Sequence, residues 1–100
     1  MSKTTVIRYT TRPDAADENQ ELIEKVFAEL AAVDPGGVRY AAFRLDDGTF
    51  LHVVTTDDDR DPLPGLSAFK NFQSTINDRL ADVPIRTGAH VVGSYRLVAE

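Results

Sequence analysis

The chain predicts an α+β fold: a ferredoxin-like βαββαβ protomer with a four-stranded antiparallel sheet, paired with a second copy as a dimeric α+β barrel. Three observations lead there. The apolar pattern alternates between a period of two and a helical period in the order strand, helix, strand, strand, helix, strand. Asp47-Gly48 links the middle two strands as a tight hairpin. The strands carry large apolar side chains on both faces, and two helices cannot cover both sides of a sheet. With 100 residues and no linker, repeat or low-complexity tract, residues 1–100 form a single domain.

The elements follow in order. Residues 4–10 (TTVIRYT) are β-branched and aromatic and read as the first strand, broken at Arg12-Pro13-Asp14. Asp14 is placed to cap a helix, with Asp17, Glu18 and Glu21 near the positive end of its dipole. Leu22, Ile23, Val26, Phe27, Leu30 and Ala31 then recur at helical spacing, and Glu21 and Lys25 sit four apart on the other face. Asp34-Pro35-Gly36-Gly37 stops the helix, since proline cannot continue it. Residues 38–46 (VRYAAFRLD) and 49–56 (TFLHVVTT) are the second and third strands. Residues 57–64 (DDDRDPLP) form a charged, proline-broken loop. Leu66, Phe69, Phe72, Ile76 and Leu80 mark a second amphipathic helix that ends at Val83-Pro84. Residues 86–99 read as a last strand bent at Gly88 and Gly93.

A two-residue turn at Asp47-Gly48 sets Leu45 opposite Phe50, Phe43 opposite His52 and Ala41 opposite Val54. One face of the hairpin then holds Ala41, Phe43, Leu45, Phe50, His52 and Val54. The other holds Val38, Tyr40, Ala42, Arg44, Leu51, Val53 and Thr55. Burying five large apolar groups of the second face in a homodimer is worth roughly 8–15 kcal/mol before association costs are met. A second copy of the chain is the expected cover, with Tyr40 and Tyr95 as interface aromatics.

Composition narrows the function classes. Apolar residues at 42% and charged residues at 27% suit a globular domain. A net charge of −5, without a basic stripe, argues against nucleic acid or an anionic membrane as partner. Cysteine is absent, which removes disulfide and thiolate chemistry. No apolar run is long enough to span a bilayer and the N-terminus lacks a secretory core, so a cytoplasmic location is the default expectation.

The element order, the helix-ending DPGGVRY, the strand FRLDDGTFLHV and the helix LSAFKNFQSTI together resemble the antibiotic-biosynthesis-monooxygenase-like (ABM) proteins of the dimeric α+β-barrel superfamily. The resemblance covers nearly the whole chain and rests on patterning and one turn. It implies a ferredoxin-like protomer with a ligand cavity between sheet and helices. It also implies a cofactor-independent monooxygenase or isomerase acting on a small hydrophobic, aromatic compound. The alternatives are a non-catalytic small-ligand-binding dimer and a structural dimer. The better-known enzymes of the group use an asparagine on the first strand, a tryptophan and, in the haem-degrading branch, a histidine on the second helix. Here the first strand has no asparagine, the chain no tryptophan and the second helix no histidine, so none of these roles transfers to a matching position.

Candidate chemical groups are few. His52, mid-strand among apolar neighbours, is the expected catalytic residue, a proton-transfer group in an apolar pocket. Phe43 and Phe50 are expected to line the same pocket, and Asn71 and Gln73 to reach it from the second helix. Arg8, in a central strand, needs a carboxylate or a ligand anion. Tyr9 points the opposite way. His52 and His90 are a poor metal signal without a third ligand at fixed spacing, and Asp57, Asp58, Asp59 and Asp61 lack the pattern of a calcium loop. No metal and no cofactor is expected.

Overall fold

The computed structural model describes residues 2–57 and 61–95. Strand β1 (Ser2–Thr10) leads through a 3₁₀ turn (Pro13–Ala15) into helix α1 (Ala16–Val33). Strands β2 (Val38–Arg44) and β3 (Thr49–Asp57) form the hairpin, followed by helix α2 (Ser67–Thr75), a 3₁₀ turn (Ile76–Asp78) and strand β4 (Ile85–Ala89). The sheet order is β2-β3-β1-β4 with every pair antiparallel, the ferredoxin-like arrangement that the patterning predicts.

Both helices lie on one face of the sheet. Their apolar stripes meet it through Ala16, Ile23, Val26 and Phe72, which cluster with Tyr9 and Phe50. Phe50 and Val26 are each only 1% exposed and form the centre of the core. The α1 carboxylate of Glu29 accepts hydrogen bonds from the backbone N–H groups of Ser67 and Ala68, so one helix caps the start of the other. These bonds, led by that from Ala68, hold the Glu29 carboxyl below its usual range. Asp34 ends α1 in the left-handed conformation (φ 49°), its N–H bonded to the Leu30 carbonyl. Asp14 falls within the preceding 3₁₀ turn and its side chain makes no cap hydrogen bond, which corrects its expected role.

The hairpin differs from the expected two-residue turn, and the difference matters. Gly48 N–H bonds to the Leu45 carbonyl, and Leu45 N–H to the Thr49 carbonyl. Gly48 has φ 90°, whereas Asp47 has no positive φ. A type I′ turn needs positive φ at both central residues, so this is a three-residue loop closed by a glycine bulge. The Asp47 carboxylate accepts the Thr49 N–H and secures it. The extra loop residue slips the pairing by one position: Ala42 faces His52, Tyr40 faces Val54, and Phe43 faces Leu51.

Because side chains alternate, that slip turns β2 over. Val38, Tyr40, Ala42 and Arg44 share the helix-covered face with Phe50, His52 and Val54. Phe43 and Ala41 move to the uncovered face with Leu51 and Val53. The expected last strand also shortens. β4 stops at Ala89, residues 90–95 are not in a strand, and the remaining positions of that expected strand, 96–99, lie outside the described residues.

Candidate functional site

The helix-covered face does not pack solid. Between β1, β3 and α2 lies a cavity of about 260 Å³, large enough for a compact organic molecule. Its floor is made of the buried side chains of Tyr9, His52, Phe72 and Leu63; Tyr40, Ile7, Val54 and Ile76 are half-buried in its walls. Exposed Lys3, Asp61, Gln73 and Arg86 stand at its mouth.

The floor holds a continuous polar chain. His52, 4% exposed, has both ring nitrogens engaged: Nε2 lies 2.8 Å from the Tyr9 hydroxyl and Nδ1 lies 2.6 Å from the Tyr40 hydroxyl. Asn19, fully buried on α1, donates its amide N–H to the Tyr9 hydroxyl at 3.0 Å. The Asn19 carbonyl oxygen accepts from Arg79 Nε at 2.9 Å. Arg79, 1% exposed, also donates to the Thr75 hydroxyl and the Phe72 carbonyl, and its guanidinium lies 5.3 Å from the centre of the Phe72 ring. The chain therefore runs Arg79, Asn19, Tyr9, His52, Tyr40, from behind the floor to the cavity wall.

Burial sets the protonation states. Desolvation lowers His52 from 6.5 to about 4, so the imidazole is neutral at physiological pH. Desolvation raises Tyr9 to about 12, against smaller lowering effects of the Asn19 hydrogen bond and the Arg79 charge. Tyr40 is raised further, first by desolvation and then by Tyr9. Both phenols keep their protons. A neutral imidazole donates from one nitrogen and accepts at the other. The Tyr9 oxygen already accepts from Asn19. Either tautomer leaves one phenol O–H without a protein acceptor; the one that satisfies the deeper phenol, Tyr9, has Tyr9 O–H donating to Nε2 and Nδ1–H donating to the Tyr40 oxygen. It leaves the Tyr40 O–H for an acceptor inside the cavity.

Of the residues expected at the pocket, His52 is on the floor and Gln73 is at the mouth. Phe50 lies beneath, its ring stacked on Tyr9 at 5.7 Å, and supports the floor without lining it. Phe43 is on the opposite face of the sheet because of the register slip. Arg8 is also there, exposed and paired across to Leu51, and among the described residues it has no ion-pair partner. Exposure keeps its charge in water and the Asp47 carboxylate of the hairpin loop is near enough to feel it, so no ligand anion is required. Asn71 points to solvent from α2, outside the cavity. Tyr40, expected at an interface, stands in the cavity wall. Among the described residues no group of three His, Asp or Glu side chains is gathered as a metal ion requires, and no helix is long and apolar enough to cross a membrane.

Asn19, Arg79, Tyr9 and Tyr40 escape a reading of the sequence as site residues. A signal exists for two of them. Asn19 stands four residues from both Ala15 and Ile23, inside the buried stripe of the first helix. Arg79 follows Phe72 and Thr75 at helical spacing. A polar residue within an apolar stripe marks a buried hydrogen-bond network.

No protein-family model matches the chain, and no curated protein matches it in sequence. Solved structures do match. Rv0793 from Mycobacterium tuberculosis is 18% identical, with a TM-score of 0.72 over 94% of this chain and 98% of that one. A candidate antibiotic biosynthesis monooxygenase from Bacteroides thetaiotaomicron is 12% identical, with a TM-score of 0.77 over 91% of this chain and 90% of its own. A Nitrosomonas europaea protein of unknown function is 13% identical, with a TM-score of 0.71 over 95% and 94%. At such identities, near-complete coverage of both chains establishes a shared fold.

The His52 shift predicts a pH dependence of stability. Its folded pKa is below the unfolded value, so the unfolded chain takes up the proton first. The contribution is present above about pH 6.5 and is lost as pH falls towards about 4, an effect of about 3 kcal/mol. Urea unfolding of the wild type and of His52→Gln across that window measures it. The wild type is expected to lose the additional stability and the variant not to; parallel curves would contradict the burial of a neutral imidazole.

Proposed function

We propose that the chain is an ABM-like protein that binds a small, largely apolar aromatic compound in the cavity and acts on it as a cofactor-independent monooxygenase or isomerase. The observation that carries this reading is the Tyr9–His52–Tyr40 chain on the floor of a cavity with apolar side chains around it and polar ones at its mouth, with both imidazole nitrogens held at hydrogen-bond distance. The shared fold with candidate antibiotic biosynthesis monooxygenases supports it.

The two reaction types share a first requirement. A phenol, or a carbon beside a carbonyl, gives up its proton to solvent water at the exposed mouth, and an anion delocalised onto oxygen is left in the cavity. Tyr40 is the group that meets that oxygen. Its O–H, held in place by His52 at the half-buried wall, stabilises the developing charge as a preorganised donor. His52 stands behind it as a positioning residue and hydrogen-bond relay. With its basicity lowered and both nitrogens occupied, it is a poor acceptor of a whole proton, which shifts the expected role of His52 from general base to polariser of Tyr40. Tyr9, hydrogen-bonded to the Asn19 amide and near the Arg79 cation, keeps its proton and holds His52 in place from the other side.

The protein acts in the cytoplasm as a homodimer through the uncovered sheet face. Val6, Ala41, Phe43, Leu51 and Val53 are half-buried there, and Ile85 is 61% exposed. An apolar surface of this extent on a small domain is covered most simply by its copy. Val38 and Tyr40, first assigned to this surface, belong to the other side of the sheet.

Turnover of anthrone-type ketones and of quinols, followed by oxygen uptake and product formation, tests the chemistry. Tyr40→Phe is expected to lower kcat by about 100-fold with little change in KM. An unchanged kcat would remove Tyr40 from the reaction, and saturable binding without turnover would make the protein a non-catalytic carrier. Light scattering at micromolar concentration tests the assembly: twice the mass of one chain is expected for the wild type and a single-chain mass for Phe43→Glu. A wild-type protein of single-chain mass would contradict the dimer.

A further inference from the structure

The charge distribution around the cavity defines the ligand more closely. The chain carries a net charge of −5, yet the charged side chains lining the cavity are two cations, Lys3 and Arg86, and one anion, Asp61. Behind the floor lies a third cation, Arg79. Asp61 is occupied in its own turn, where a carboxylate oxygen accepts the Leu63 N–H at 3.1 Å. Lys3 pairs across to Thr56, next to an acidic stretch of sequence, and like Arg86 it makes no ion pair among the described residues, so the two cations are told apart by their position on the sheet. Arg86 is different. It stands on β4, on the same rung of the sheet as Ala42, His52 and Ile7, and among the described residues it has neither an ion pair nor a hydrogen bond from its side chain.

We infer that Arg86 receives an anionic group of the ligand, a carboxylate or its equivalent, at the end of the cavity away from Tyr40. The inference rests on the cavity being the ligand site, as proposed above. The two polar ends are three strand spacings apart across the sheet and two residues out of step along it, about 16 Å between backbones. Both residues line the cavity, and the Tyr40 hydroxyl reaches inward to His52, which leaves room for a body of one or two fused rings. Ile7 and Val54 lie beneath that body and Phe69, Phe72 and Ile76 lie above it, with no charge among them. The ligand class is therefore a flat aromatic acid, with an acceptor oxygen at one end for the Tyr40 O–H and an anion at the other for the guanidinium. A guanidinium pairs with a carboxylate through two parallel hydrogen bonds, which fixes orientation as well as affinity. The ring would then enter in one direction only, oxygen first.

The test compares 6-hydroxy-2-naphthoate with 6-hydroxy-2-naphthamide, which have the same shape and differ in charge. Binding is followed by calorimetry and by NMR shifts of the His52 and Tyr40 ring signals, in the wild type, Arg86→Gln and Lys3→Gln. Arg86 is exposed at the sheet edge, so its replacement leaves the core intact; circular dichroism checks this. The acid is expected to bind the wild type about tenfold more tightly than the amide. Arg86→Gln is expected to reduce that preference to about twofold or less without weakening the amide, and Lys3→Gln to keep it. Equal binding of acid and amide at the cavity would overturn the anion site and leave the cavity reading standing. A preference that survives Arg86→Gln would overturn the assignment to Arg86. Absence of shifts at His52 and Tyr40 with either compound would overturn the cavity reading and this inference with it.

Discussion

A buried guanidinium organises the interior. Arg79 is almost inaccessible, and a charge in that position is tolerated only if its donors are satisfied. Asn19 on the first helix, and Thr75 and the Phe72 carbonyl on the second, supply the acceptors. Burial holds Arg79 below its ordinary pKa, yet the residue remains a cation. The bonds that satisfy it set the two helices relative to each other and turn the Asn19 amide towards Tyr9. Tyr9 in turn fixes His52. Helix packing and the geometry of the cavity floor are thus one network, in which each hydrogen bond to a charged or buried group is worth about 1–3 kcal/mol and none can be lost alone without leaving a neighbour unpaired.

The architecture was legible because burial follows periodicity. Leu22, Ile23, Val26 and Phe27 define one helix, Phe69, Phe72 and Ile76 the other, and both helices and all four strands stand in the predicted order. The site was less legible, for a reason of one residue. Asp47-Gly48 is compatible with a two-residue turn or with a longer loop closed by a glycine bulge, and the choice depends on the backbone angle of Asp47. That choice turns β2 over, placing Tyr40 in the cavity and Phe43 outside it. His52 and Phe50 keep their face because β3 is anchored by β1 independently of the turn. Asn19 and Arg79 went unread although each is a polar residue within an apolar stripe, and their partnership depends on how the helices cross, which periodicity along a chain does not encode.

The cavity combines three environments. Its floor and the adjoining wall offer neutral, hydrogen-bonded hydroxyls of raised pKa in Tyr9 and Tyr40, the rest of the wall is largely apolar, and its mouth carries an exposed arginine. Such a gradient suits a ligand that enters with its ring buried and one end in contact with water. The uncovered face of the sheet carries one arginine, Arg8, on a central strand among apolar neighbours. Apolar residues and Thr4–Thr55 hydroxyl pairing dominate it, as expected of a surface that meets another surface. One side of the sheet thus holds small-molecule chemistry and the other association, and the hairpin bulge determines which side chains serve each.

The central claim is that His52 is a neutral imidazole held between two protonated tyrosines. Nitrogen-detected NMR of the histidine ring across the acid range measures this directly. The account predicts a single neutral tautomer with the proton on Nδ1, unchanged from about pH 8 to about pH 5 and protonating near 4. A ring that titrates near 6.5, or that exchanges between tautomers as in water, would contradict it.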